Sequence, residues 1–291
     1  MENLIGNTPI VKIRYKKTQV FAKMENLNPS GSIKDRIAKY ILDHAESSGK
    51  LKRGMTIVEP TSGNTGISFS FLSSIRGYKF IAVMPEFASK ERIRIIKQYG
   101  GKVILTPEKM GMAGAVNKAK EIAKKMKAFL PNQFENEYNI IAHQETTGRE
   151  ILRQVSKIDY FVAGVGTGGT LIGVAKVLKD SGAKIIAVEP KESPLLSKGF
   201  SGLHKIEGIG EDFVPKIVQE NSHLIDRVIS VSSNNAIKMT KKLNRNGLFV
   251  GISSGANVFA SFKIAKKSRN KRVVTILPDS ADRYYSTEVF E

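Results

Sequence analysis

Short runs of β-branched and apolar residues alternate with helical patterns along nearly the whole chain, and that alternation restricts the fold more than any other feature. The runs are TIVEP (56–60), KFIAVMP (79–85), KVILTP (102–107), DYFVAGV (159–165), KIIAVEP (184–190), RVISVS (227–232) and VVTILP (273–278). Strands separated by helices are joined by crossovers, so the pattern predicts mostly parallel sheets covered by helices. No repeat or low-complexity linker interrupts it. The stretch PNQFENEYN breaks the alternation between 131 and 143. We therefore divide the chain into two three-layer α/β domains, residues 1–140 and 141–291. Short strands within residues 10–24 can belong to either half.

Other functions are limited by composition. The 291 residues give ample length for a buried core, and the absence of cysteine excludes disulfides, thiolate metal sites and a cysteine nucleophile. His44, His143, His204 and His223 lack metal-ligand spacing, so no metal is expected. No apolar run reaches the roughly 18 residues of a membrane span, and the N-terminus lacks a leader pattern, so the expectation is a cytoplasmic protein with no membrane partner. The net charge of +19 suits a polyanion. Its distribution argues against one. The lysines fall on polar faces of amphipathic helices, as in KAKEIAKKMK (118–127) and KMTKKLNR (238–245), without aromatic interleaving, and no nucleic-acid partner is expected.

Four short segments carry candidate chemistry. In NPSGSIKDR (28–36), Pro29 and Gly31 make a turn, and Ser30 or Ser32 can cap a helix whose apolar positions Ile33, Ile37, Tyr40 and Ile41 recur until Gly49. Lys34 then lies at the positive end of that helix, which favours its neutral, nucleophilic form. TSGNTG (61–66) presents glycines and hydroxyls at a helix start, fit for a carboxylate; the plainer reading is a capped turn. GVGTGGT (164–170) matches G-x-G-x-x-G, with Glu189 about 20 residues on, as in a dinucleotide fingerprint. Thr167 and Thr170 suit a compact terminal phosphate at least as well. In GISSGA (251–256), Ser253 or Ser254 either caps the next helix or serves a ligand.

In this order, the four segments resemble those of pyridoxal-phosphate enzymes with the tryptophan-synthase β fold. The chain is most similar to the cysteine synthase (O-acetylserine sulfhydrylase) and cystathionine β-synthase family. The similarity extends through IGNTPIVKI (5–13), VMPEFASKER (83–92), GMAGAVNKAKEI (111–122), ETTGREI (145–151), HKIEGIGEDFVP (204–215) and RYYSTEVF (283–290), which is essentially the whole chain. The resemblance implies pyridoxal 5'-phosphate as cofactor, Lys34 as its Schiff-base partner, and Asn64 beside the ring hydroxyl. Gly166, Thr167, Gly168, Gly169 and Thr170 would hold the phosphate, and Ser253 would meet the pyridine nitrogen. Thr61, Ser62, Gly63, Asn64 and Thr65, with Gln133, would bind the carboxylate of an amino-acid substrate.

The implied reaction is β-replacement. Lys34 takes the α-proton, acetate leaves O-acetyl-L-serine, and sulfide adds to an aminoacrylate intermediate to give L-cysteine. A neutral serine at the ring nitrogen favours elimination over a long-lived carbanion. A homodimer is also implied. Glu211 and Asp212 depart from the small residues that sulfhydrylases often carry there, and resemble cystathionine β-synthases, which condense serine or an activated serine with homocysteine. O-phosphoserine is a third possible donor, although GIGEDF (208–213) offers no arginine for its phosphate. Arg149 stands where proline is common and is unexplained.

Overall fold

The computed structural model describes residues 1–268 and 270–291. Near the N-terminus, β1 (Ile10–Tyr15) and β2 (Thr18–Met24) pair antiparallel across a tight turn. Seven further strands coincide, within a residue at either end, with the seven apolar runs. They are β3 (Thr56–Pro60), β4 (Lys79–Pro85), β5 (Lys102–Thr106), β6 (Tyr160–Gly164), β7 (Lys184–Pro190), β8 (Arg227–Val231) and β9 (Val273–Leu277). The helices are α1 (Lys34–Ser47), α2 (Asn64–Arg76), α3 (Lys90–Gln98), α4 (Gly111–Met126), α5 (Tyr138–Ala142), α6 (Arg149–Gln154), α7 (Gly169–Leu178), α8 (Leu195–Lys198), α9 (Lys216–Glu220), α10 (Ser233–Arg245) and α11 (Ile252–Lys267). None is long and apolar enough to cross a membrane.

Two sheets result. One is three-stranded, β3-β4-β5, and all parallel; the other is six-stranded, β1-β2-β9-β6-β7-β8, parallel apart from the first pair. Of the two places open to residues 10–24, they occupy the larger sheet, where Phe21 pairs with Val274.

Strand side chains alternate between faces, so each buried strand feeds two cores. In the smaller sheet Ile57, Phe80, Ala82 and Met84 pack with α1, α2 and α3, whereas Val58, Ile81 and Val83 pack with α4. In the larger one Phe161, Ala163, Ile185 and Ile276 face α7, while Val162, Ile186, Val188 and Val273 face α10 and α11. Each sheet is thus the middle of three layers.

A buried charge cluster ties these parts together. Arg36 on α1 donates to both Glu25 oxygens, at 2.6 and 2.7 Å, and to both Glu150 oxygens, at 2.7 and 2.9 Å. Lys23 on β2 lies 2.7 Å from Glu150 on α6. Thr8 and Asn28 complete the Glu25 carboxylate at 2.6 and 2.9 Å. Burial opposes ionisation here, yet Arg36 and Lys23 outweigh it and hold Glu150 down to about 2.

Candidate active site

The turn before α1 is held from outside as much as from within. Gly31 takes a left-handed φ of 82°, its N–H bonds to Asn28 O at 2.7 Å, and Ile33 N bonds to Pro278 O at 2.8 Å. The expected cap takes a different form. Ile33 occupies the capping position, Ser30 donates to Asp35, and Ser32 Oγ accepts the Lys34 N–H at 3.3 Å. Lys34 emerges into a cleft between the two sheets. Burial pushes its ammonium down to about 8, while Glu211 and Asp279 pull it back up. Desolvation is therefore the larger cause, where the sequence pointed to the helix start.

The loop 61–66 runs from β3 into α2. No side chain caps α2, whose capping position is Gly63. Instead Thr61 Oγ1 accepts the N–H groups of Gly63 and Gly66 at 2.9 and 3.2 Å, folding the loop back on itself. Thr65 Oγ1 donates to Gln133 Oε1 at 2.6 Å, and Gln133 Nε2 donates to Pro60 O at 3.0 Å. That uses one of the two Gln133 amide hydrogens. Glu59 holds the Gln133 segment, accepting the N–H groups of Asn132 and Gln133 at 2.8 and 3.0 Å. Burial pushes the Glu59 carboxyl up to about 8, against those two donors.

The loop 164–170 runs from β6 into α7, whose first-turn N–H groups lack intrahelical partners; Thr167 Oγ1 accepts that of Gly169 at 3.4 Å. A Cβ on Gly169 would lie 1.9 Å from Asn139 Oδ1, so no larger residue fits there. Asn139 in turn donates to Thr167 Oγ1 at 3.0 Å. Thr170 Oγ1 meets His143 Nε2 at 3.2 Å. Burial, then the charges of Lys34 and Arg36, hold His143 well below its usual range, so the ring is neutral. On α11, Ser253 lies in the first helical turn with Gly251 at the capping position, so neither serine is the cap. Ser253 opens on the cleft, and nearby Asn257 Oδ1 is buried without a partner among the described residues.

One cleft thus gathers Lys34, Thr61, Ser62, Asn64, Thr65, Gln133, Gly166, Thr167, Gly168, Thr170 and Ser253. Gly63 and Gly169 contribute through close backbone packing, Gly63 against Arg92 and Gly169 against Asn139. Glu211 also lines the cleft; burial and the adjacent Asp212 push its carboxyl up to about 7, against the pull of Lys34. Asp212 lies in the outer groove, and Arg149 is on the surface, paired 2.9 Å from Glu145. Sequence reasoning missed Glu59, Arg92, Asn139, His143, Asn257, Asp279 and Arg283. Arg92 lines the cleft, its guanidinium paired with Glu207 and stacked 4.7 Å from the Tyr284 ring centroid. The position of Asp279 just past the end of β9, where open α/β sheets carry ligand loops, is a signal that would have found it.

A desolvated lysine, a helix start built of glycine and threonine, and a second helix start bearing Ser253 fit the aldehyde, phosphate and pyridine ends of one cofactor. Residues 1–279 match the family model described as "Pyridoxal-phosphate dependent enzyme", and the chain belongs to that family. Within it, the chain is 51% identical to cysteine synthase B of Campylobacter jejuni over a 294-residue alignment, covering 100% of this chain and 98% of that protein. It is 45% identical to a Staphylococcus aureus cysteine synthase, covering 99% and 95%. The crystal structure of the O-acetylserine dependent cystathionine beta-synthase from Helicobacter pylori superposes with a TM-score of 0.95 at 39% identity, covering 100% of this chain and 98% of that one.

Proposed function

We propose that this enzyme forms L-cysteine from O-acetyl-L-serine and sulfide by β-replacement, with Lys34 as both cofactor tether and base. The observation that carries the reading is the meeting, in one cleft, of a desolvated lysine with separate anion-binding loops on α2 and α7. Pyridoxal phosphate, when bound, supplies the electron sink that makes the α-proton of an amino acid removable.

The chain's own residues do the rest. Gly166 to Thr170 would hold the cofactor phosphate through first-turn N–H groups and two hydroxyls. Thr61, Ser62, Gly63, Asn64 and Thr65, with the remaining Gln133 N–H, receive the substrate carboxylate and fix the Cα–H bond toward Lys34. Lys34 Nζ takes that proton, acetate departs from Cβ with the C–O electrons, sulfur bonds to Cβ, and Lys34 returns the proton to Cα. Ser253 would offer the ring nitrogen a neutral partner, which unlike a carboxylate would not hold that nitrogen protonated. Two domains form the walls of the cleft, one built on the three-stranded sheet and one on the six-stranded sheet with residues 10–24 joined to it, and the enzyme works as a cytoplasmic homodimer.

The test is a spectral titration of the cofactor-loaded enzyme with O-acetylserine, O-phosphoserine and serine, followed by sulfide or homocysteine. O-acetylserine should change the cofactor absorbance, and sulfide should restore it fastest with release of cysteine. Discharge by homocysteine alone would overturn the reading.

A pH dependence follows from Lys34. Only the neutral amine attacks an aldehyde, so capture of pyridoxal phosphate by the cofactor-free protein should accelerate roughly tenfold per pH unit below about 8, then level off. Stopped-flow absorbance across pH 6 to 9, about two units below to one above that value, checks this. A flat profile would show a lysine already neutral throughout.

A further inference from the structure

The segment following β9 holds two of the cofactor loops at once. Asp279 and Arg283 are each 1% exposed. Asp279 Oδ2 accepts Asn64 Nδ2 at 2.6 Å and the Tyr284 hydroxyl at 2.8 Å. Arg283 Nε donates to Asn64 Oδ1 at 2.8 Å, and its Nη2 donates to Ser30 O in the turn that carries Lys34. The backbone repeats the connection: Ile33 N bonds to Pro278 O at 2.8 Å and Ser280 N to Gly31 O at 3.1 Å. A Cβ on Gly31 would lie 2.7 Å from Arg283 Nη1, so the turn is moulded around the guanidinium.

The chemistry of the two partners removes an ambiguity. An asparagine amide can ordinarily rotate by half a turn and exchange its oxygen and nitrogen. Here one end meets an acceptor-only carboxylate and the other a donor-only guanidinium, so only one orientation satisfies both. The clamp uses one Nδ2 hydrogen and leaves the second as a fixed donor. We propose that Arg283 and Asp279 are positioning residues that set the Asn64 amide as a donor toward the cofactor ring oxygen and lock it in register with Lys34. This rests on the reading of Lys34 and Asn64 as cofactor residues.

The test titrates cofactor-free protein with pyridoxal phosphate, following absorbance, in the parent, Arg283→Met, Arg283→Lys and Asn64→Ala, and in Asn64→Ala combined with Arg283→Met. Arg283→Met should weaken binding about tenfold and shift the absorbance maximum of the bound cofactor, because the ring oxygen loses a fixed donor. Arg283→Lys, with one compact donor in place of the fork, should recover part of both effects. On the Asn64→Ala background, Arg283→Met should have a clearly smaller effect on both, since the residue it orients is gone and only its contact with Ser30 in the Lys34 turn is left to lose. Unchanged affinity and spectrum in Arg283→Met, with only a lower melting temperature, would overturn the proposal and leave the functional reading intact. So would undiminished effects on the Asn64→Ala background. Absence of any lysine-bound absorbance in the parent protein would overturn both.

Discussion

Lys34→Ala should lower cysteine formation at least ~1,000-fold, because in the proposed reading one side chain serves as tether, base and proton donor, and a positioned acid–base group alone is worth about 100- to 10,000-fold. The variant should still fold. Lys34 is desolvated in the cleft, which disfavours its charge, so its loss relieves a burial cost. It should also still bind pyridoxal phosphate, held by the α7 loop, but with the absorbance of the free aldehyde. Lys34→Arg should fail equally, since a guanidinium stays protonated and cannot act as base or nucleophile. Steady-state rates and absorbance spectra measured on the same samples give the result. Turnover within tenfold of the parent would assign the tether to another residue.

Arg36→Ala, two residues away, should fail for a different reason. It removes the shared partner of Glu25 and Glu150, leaving two carboxylates at 0% and 6% side-chain exposure with Lys23 as the remaining cation. Breaking a buried ion pair from one side costs about 3–5 kcal/mol. At a few degrees per kcal/mol, the melting temperature should fall by roughly 10 °C. The parent has a matching acid dependence. The folded Glu150 value of about 2 lies below the unfolded one, so its contribution is complete above the usual carboxylate range and is lost as pH falls toward 2. Denaturant unfolding at neutral and acid pH measures both effects. A loss below about 1 kcal/mol in Arg36→Ala would mean that the cluster is hydrated and worth no more than a surface pair.

The sheet architecture was legible because buried strands between helices carry an apolar run that few other elements share. The runs at 56–60, 79–85 and 184–190 match their strands residue for residue. The loops 61–66 and 164–170 were legible for a similar reason: glycine and hydroxyl residues collect at a helix start only where the backbone must approach something closely. The cap of α1 was misjudged because serine is a good cap in general, whereas Ser30 is buried and turned to Asp35; at 253 and 254, where cap and ligand roles were both open, the cap position falls on Gly251. What stayed hidden was held by contacts across the chain. Nothing near Arg283 announces that it will meet Asn64, 219 positions away, or that Glu59 will receive the backbone of Gln133. Such pairings arise from topology, and a single sequence does not display them.

The pairing of β2 with β9 has a bearing on how the enzyme is made. Phe21 leaves the ribosome about 250 residues before its partner Val274, and the turn bearing Lys34 rests on Pro278 and Ser280, which emerge later still. The three-stranded sheet and its helices are complete in the nascent chain long before that. The catalytic pocket is therefore among the last parts to assemble, and an interrupted polypeptide carries the reactive lysine without the neighbours that desolvate it. The turn bearing Lys34 therefore gains its backbone partners Pro278 and Ser280 only when the chain is nearly finished.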